Sequence, residues 1–273
     1  RASASRAAEA FAERACAEAA ELVYAQVAEL ALENEATCPR LALSMEFAGE
    51  DIRGRERAER IYEAETWLHN ALITAAHTPE DAASAYVAMA EAGLDGSHLT
   101  YDVLARRCWE GGEPHWASSA VKAGVRLRKL PPKLFLATHT GSLDLHHLSR
   151  HTACAAAIWF LGVLAEKARA GEAIPTDIEI ITGWGKHTRG SDALPGQARS
   201  PLQREVHSLV LGELRAPMAP AKRHGSVLRA TDPLELRSFL AAIPARHPLL
   251  GAAALRPPPW EERFAAAAAA TDP

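Results

Sequence analysis

Asp144 and His146 stand two positions apart in an alternating stretch, Ser142-Leu143-Asp144-Leu145-His146. Alternation of this kind is the period of a half-buried strand, and residues two apart share a face of it, roughly 6.5–7 Å from one another. A carboxylate and an imidazole on one face can pass a proton between them, hold a water or bind a divalent cation. Imidazole is the side chain whose ordinary titration lies near neutrality, as a proton shuttle requires. The same two residues also have a structural use, the Asp as a cap for the next helix and the His as a partner for nearby backbone.

A second group follows a predicted strand, Asp177 to Ile181, in the run Thr182-Gly183-Trp184-Gly185-Lys186-His187. Gly183 and Gly185 let backbone N–H groups come close to a phosphate. Lys186 and His187 would bring charge and a proton donor to the same oxygen. Trp184 offers a face on which an unpaired base can stack. The loop lacks the full Walker pattern, so nucleotide hydrolysis is not expected. Arg204 lies on the next predicted helix. Lys122, Arg126, Arg128, Lys129 and Lys133 form a basic stretch with no intervening acid, which reads as a phosphate-contacting patch or as a solvated linker. His139, His146, His147 and His151 fit no standard zinc spacing, and no cysteine completes them.

These residues need elements to hold them. Residues 1–110 are rich in Ala, Glu, Arg and Leu and lack strand-like alternation, so they read as helices. One helix, or a broken one, is expected from Arg6 to Asn34, a pair around 41–48 and 55–64, and another from Trp67 to Ala76. Thr78-Pro79-Glu80-Asp81 carries a helix start, with a capping Thr, Pro at the first position and acids in the first turn. That helix ends at Gly93, and a new one opens near Thr100. Beyond Phe135 the pattern changes to alternating strands and helices: a helix over 150–170 capped by Ser149, one opened by Ser200-Pro201-Leu202-Gln203 as a capping box, a strand Ser226 to Ala230, and a last helix opened by Asp232-Pro233. The order β-α-β-α-β-α describes a small layered α/β domain.

The 273-residue chain is 48% apolar and 23% charged, which fits a folded globular protein. Its longest apolar run, Ala153 to Ala165, is too short to span a bilayer. Cys16, Cys38, Cys108 and Cys154 form no CxxC pair, against a disulfide scaffold or a Cys-rich zinc module. Charge is unevenly placed: residues 1–113 hold 10 basic and 21 acidic residues, whereas residues 114–245 hold 17 and 10. An acidic front joined to a basic second part suggests two functional parts. The chain opens on Arg1, from which a processed or trimmed end is expected.

The stretch TWLHNALITAAHTPEDAASAYVAMAEAGLDGSHLTYDVL resembles a pentatricopeptide repeat running into the next one. It shows Met89-x-x-x-Gly93 at the end of the second helix. Aligning His69-Asn70-Ala71-Leu72 with Tyr101-Asp102-Val103-Leu104 gives a period of 32 residues, shorter than the family's usual one, with His69 in place of a tyrosine. The resemblance implies a helical-hairpin solenoid that reads one base per repeat. It implies Asn70 and Ser97 as the reading residues.

The runs LDLHHLS, ITGWGKHTRG and LQREV resemble the Smr (small MutS-related) domain. That family shows Leu-Asp-Leu-His at the first strand and a Gly-x-Gly loop after the second. His147 stands where a Gly is usual, and the loop from His187 to Leu202 is longer than expected. The Thr-Gly-Trp-Gly-Lys-His form of the loop resembles plant and algal proteins that carry an Smr domain after pentatricopeptide repeats.

The fold class expected is thus α + α/β: helical repeats over 1–133, an Smr sandwich over 134–245, and an Ala/Pro-rich tail over 246–273. The function implied is an organellar RNA-binding protein, chloroplast rather than mitochondrial, with an Smr domain that is a candidate RNA endonuclease. Asp144, His146, Lys186 and His187 would be catalytic, with Mg²⁺ held at Asp144. Gly183, Trp184, Gly185, Arg204, Asn70, Ser97, Lys122, Arg126, Arg128 and Lys129 would contact single-stranded RNA. The alternative is a non-catalytic RNA-binding component of an organellar ribosome or transcription complex. A DNA-nicking activity, as in bacterial Smr relatives, is a third reading that the neighbouring repeats disfavour.

Overall fold

The computed structural model describes residues 52–183, 200–221, 224–244, 247 and 249–250. The helices expected at 6–34 and 41–48 lie outside them. Helices dominate, joined by one small mixed sheet, so the coarse α-plus-sheet class holds. The chain divides into two compact units, with the change between Arg107 and Cys108.

In the first unit, α1 (Ile52–Ala75) is a single helix of 24 residues. It merges the two helices expected around 55–64 and 67–76, and Gly54 lies inside it. α2 (Pro79–Glu91) begins where the sequence places it. Thr78 is extended, its side chain accepts from the Asp81 N–H at 3.1 Å, and Pro79 occupies a position that needs no donor. α3 (His98–Glu110) follows. Leu68, Ile73, Tyr86, Met89, Tyr101 and Leu104 are buried here. The Tyr86 and Tyr101 rings meet edge to face at 5.8 Å, with their hydroxyls 3.1 Å apart.

α4 (Pro114–Arg126) repeats α2 at a distance of 35 residues: both are 13 residues long and begin with Pro. Their ends match at the same offset. Gly93 has φ +73° and Arg128 has φ +56°. The Leu94 N–H reaches the Met89 carbonyl at 3.1 Å, and the Lys129 N–H reaches Gly124 at 2.9 Å. These are the same left-handed helix terminations. The period of the elements is therefore 35 residues rather than 32.

The second unit holds the sheet. α5 (Pro132–Thr140) ends at Gly141, whose φ is +81°. A Cβ there would stand 2.7 Å from the Pro175 Cβ and would run into the Asp177 carbonyl, so only glycine fits. Strand β1 (Ser142–Asp144) leads to α6 (Arg150–Arg169), capped by Ser149 as expected. α6 is buried on nearly all sides, and its alanines 153, 155, 156, 157 and 165 let neighbours come close. α4 packs on it, as do α7 (Pro201–His207) and α8 (Pro233–Ala242). β2 (Glu179–Ile181), β3 (Met218–Ala221) and β4 (His224–Ala230) complete the sheet in the order β1-β2-β4-β3. β1 and β2 run parallel, and the other pairings are antiparallel.

β3 was not expected. It is an edge strand containing Pro220, which a ladder tolerates only at an edge. The helix opened by Ser200 turns into a π-helix, Ser208–Glu213, after α7. Ser200 caps α7 through the Gln203 N–H at 3.1 Å, but the Gln203 amide donates to the Gly225 carbonyl instead of returning to the cap. Among the described residues, no helix is long and apolar enough to cross a membrane.

Candidate functional site

β1 stops at Asp144, so His146 is not on the strand. The Leu145 N–H still bonds the Ile181 carbonyl at 2.9 Å, and the chain then turns, with the Leu148 N–H directed at the Leu145 carbonyl at 3.4 Å. His147, third in this turn, has φ +69°, whereas His146 does not have a positive φ. That combination is a type II turn, which favours glycine at its third position. The sequence puts a His there, at a cost of about 1 kcal/mol.

The turn brings Asp144 and His146 together rather than holding them a strand repeat apart. Asp144 Oδ1 accepts the His146 backbone N–H at 3.0 Å and also pairs with His146 Nδ1. Oδ2 accepts from Lys133 Nζ at 2.6 Å. Asp144 is 8% exposed, while His146 is exposed. Burial alone would push the carboxyl up. The hydrogen bond from Lys133, with those from His146, outweighs it and holds Asp144 below the usual carboxylate range. An ionised Asp144 can only accept, so Nδ1 of His146 carries a proton in this pair. Nε2 lies against Gly183: a Cβ on that residue would stand 2.8 Å from it. Gly183 itself has φ +78° and is buried. Thr182 fixes the approach, its N–H and its hydroxyl both donating to the Ser226 carbonyl at 2.8 Å.

Lys133 belongs to the basic stretch, and spacing alone does not link it to Asp144. Pro132 at the start of α5 carries it to the end of β1, eleven residues on. Lys122 and Arg126 are exposed one turn apart on α4, Arg128 is exposed beyond its end, and Lys129 is half-buried. Arg204 is exposed on α7, next to Glu205, which pairs with Arg150 at 3.1 Å. Trp184, Gly185, Lys186 and His187 lie outside the described residues.

Asn70 is 5% exposed, and its Oδ1 has no hydrogen-bond partner among the described residues. At the 35-residue offset, the counterpart of Asp102 is Trp67 rather than Asn70. Trp67 is 57% exposed. Ser97 exchanges hydrogen bonds with Thr100, its N–H reaching the Thr100 hydroxyl at 2.9 Å, and so closes the start of α3.

At Asp144, where Mg²⁺ is expected, both carboxylate oxygens accept hydrogen bonds, one from Lys133 and one from His146. Among the described residues, no group of three or more His, Cys, Asp or Glu side chains is arranged to hold a metal. What the cluster can do is hold an imidazole by its Nδ1, with Nε2 beside Gly183 and a lysine ammonium on the other carboxylate oxygen. No family model matches the chain, and no curated protein and no solved structure matches it either.

Proposed function

We propose that this chain is an RNA-binding protein whose second unit, an Smr domain by resemblance, cleaves RNA by proton transfer at His146. The observation that carries the reading is the Asp144 carboxylate gripping both the backbone N–H and Nδ1 of His146. A carboxylate that orients a histidine in this way supports its use as a base. The Lys133 ammonium, 77% exposed, can pair with a phosphate oxygen while Oδ2 keeps it in place. Lys122, Arg126, Arg128 and Arg204 add positive charge for the backbone of a single strand.

The helical pairs repeating at 35 residues support pentatricopeptide-type repeats. On that reading, the base-facing position of the first described repeat belongs to Trp67, which offers a stacking face, with Asn70 inside the helix packing. The organellar location, and a ribosome or transcription complex as the setting, follow from the resemblance and remain part of the proposal.

The test uses end-labelled single-stranded RNA and the full chain beside an Asp144→Ala/His146→Ala variant. Cleavage by the wild type that vanishes in the variant is expected. Binding without cleavage by either protein overturns the catalytic reading and favours the non-catalytic scaffold.

A further inference from the structure

The sheet of the second unit has two unlike faces. Successive residues of a strand point to opposite faces, so the strand register sorts the side chains into rows. Leu143, Ile180 and Leu228 share one row and are fully buried, so their face is turned to the core. The residues on either side of them point the other way. Ser142, Glu179, Arg229 and Ala219 form one row there, and Asp144, Ile181 and Val227 form the next. Asp144 is buried, Arg229 is exposed and the rest are half-buried. Ile181 and Val227 thus lie side by side with apolar surface in reach of water. In the neighbouring row, Glu179 Oε1 accepts from the Ser142 hydroxyl at 2.9 Å. Its Oε2 accepts from Arg229 Nε and Nη2 at 3.2 and 3.1 Å. Arg229 Nη1 is bonded to none of the described residues.

This face is complementary to itself. Glu179 and Arg229 are opposite charges in one row on the neighbouring strands β2 and β4, and Ile181 and Val227 are branched apolar side chains in the next row on the same two strands. A two-fold interface requires such a match, because one patch must serve both sides. When a second sheet is laid on the first about an axis running between β2 and β4, along the strands, the two strands exchange places. Each Glu179 then faces the partner's Arg229, and each Ile181 faces the partner's Val227. Sheets stacked in this way lie about 10 Å apart, a gap that the side chains of both faces fill. A single strand of RNA suits the face less well. A carboxylate stands beside the guanidinium, and neither row holds an aromatic ring on which a base could stack. We propose that two copies of this chain pair through this face of the sheet, with Glu179 and Arg229 meeting across the interface in both directions. The strands are short and the patch is small, so the pairing is weak and depends on protein concentration. It is independent of any reading of His146.

The experiment is sedimentation velocity on the full chain over a dilution series, with thermal unfolding to show that each variant is folded. Wild type should move from monomer at low concentration toward dimer at high concentration. Val227→Lys puts an ammonium in the apolar row and should leave a monomer. Glu179→Arg sets like charges against each other across the axis, and so does Arg229→Glu. Each of these alone should associate at least about 10-fold more weakly than wild type. Mixed in equal amounts, the two should pair with each other, because every Arg then faces a Glu, and added salt should weaken that mixed pair. A wild type that stays monomeric throughout the series would overturn the inference. So would a dimer that survives Val227→Lys, or a mixture of the two charge variants that does not associate. A monomeric wild type whose affinity for single-stranded RNA falls on Val227→Lys would assign the face to RNA instead.

Discussion

The imidazole of His146 lies so close over Gly183 that a single added methyl on the glycine would stand 2.8 Å from Nε2. The end of one strand and the turn after its neighbour are thereby fitted to each other. Asp144 holds the ring from one side and Gly183 limits it on the other.

Gly183→Ala should therefore disturb the site twice. It places a side chain at φ +78° and presses on the ring that Asp144 holds. A loss of about 2 kcal/mol is expected from the backbone and the contact together. Urea unfolding measures it, and in a double-mutant cycle His146→Ala should recover part of the loss by removing the ring. Equal losses with and without the ring would show that backbone strain alone is responsible.

His147→Gly should make the protein more stable by about 1 kcal/mol, because glycine accepts the φ of +69° without strain. Thermal unfolding checks this. A destabilised glycine variant would mean that the His147 side chain makes contacts that outweigh the strain.

Asp144→Asn tests the charge. A carboxyl held below its ordinary value adds stability above the unfolded pKa, near 3.9, and loses it as pH falls through the folded value. The wild type should thus exceed the Asn variant in stability at neutral pH, and the gap should close on acidification below about pH 4. A gap that stays constant from pH 7 to pH 3 would contradict an ionised, hydrogen-bonded Asp144.

Gly141→Ala should be the most damaging of these changes. A Cβ there meets the Asp177 carbonyl and the Pro175 Cβ at 2.7 Å, with φ at +81°. Backbone on one side and a proline ring on the other cannot yield cheaply. A cost above about 3 kcal/mol is expected, read as a large drop in Tm or as failure to accumulate folded protein.

Lys122 and Arg126 are exposed on one face of α4. Changing both to Gln should weaken RNA binding at low salt and flatten the plot of log Kd against log salt by roughly 1.4, about 0.7 per lost phosphate contact. Filter binding across a salt series checks this. An unchanged slope would assign the basic stretch to solvated surface.

Signals confined to a few neighbouring residues were legible in the sequence. Thr78, Ser149, Ser200 and Asp232 all cap the helices that they precede, because a cap is a bond between residues two or three apart and needs nothing distant. The left-handed Gly93 and Gly171 follow for the same reason. The residues Asp144, His146 and Gly183 were legible as types and spacings, and so was the coarse order of helices followed by strands and helices.

Whatever depends on residues meeting from far along the chain was not legible. The strand pattern put Asp144 and His146 a strand repeat apart, but β1 ends where its pairing with β2 ends, and the turn beyond folds one onto the other. Lys133 reaches Asp144 only because α5 packs against β1. β3 has little strand propensity of its own and exists through pairing with β4. The period of 35 residues is carried by Pro79 and Pro114 and by two matching helix ends, one of which is Arg128 where the other is Gly93. A glycine signal cannot reveal a turn that an arginine has been made to adopt. Local hydrogen bonds and propensities are written residue by residue. Strand limits, ion pairs and strained turns are settled by what the rest of the fold presses against them.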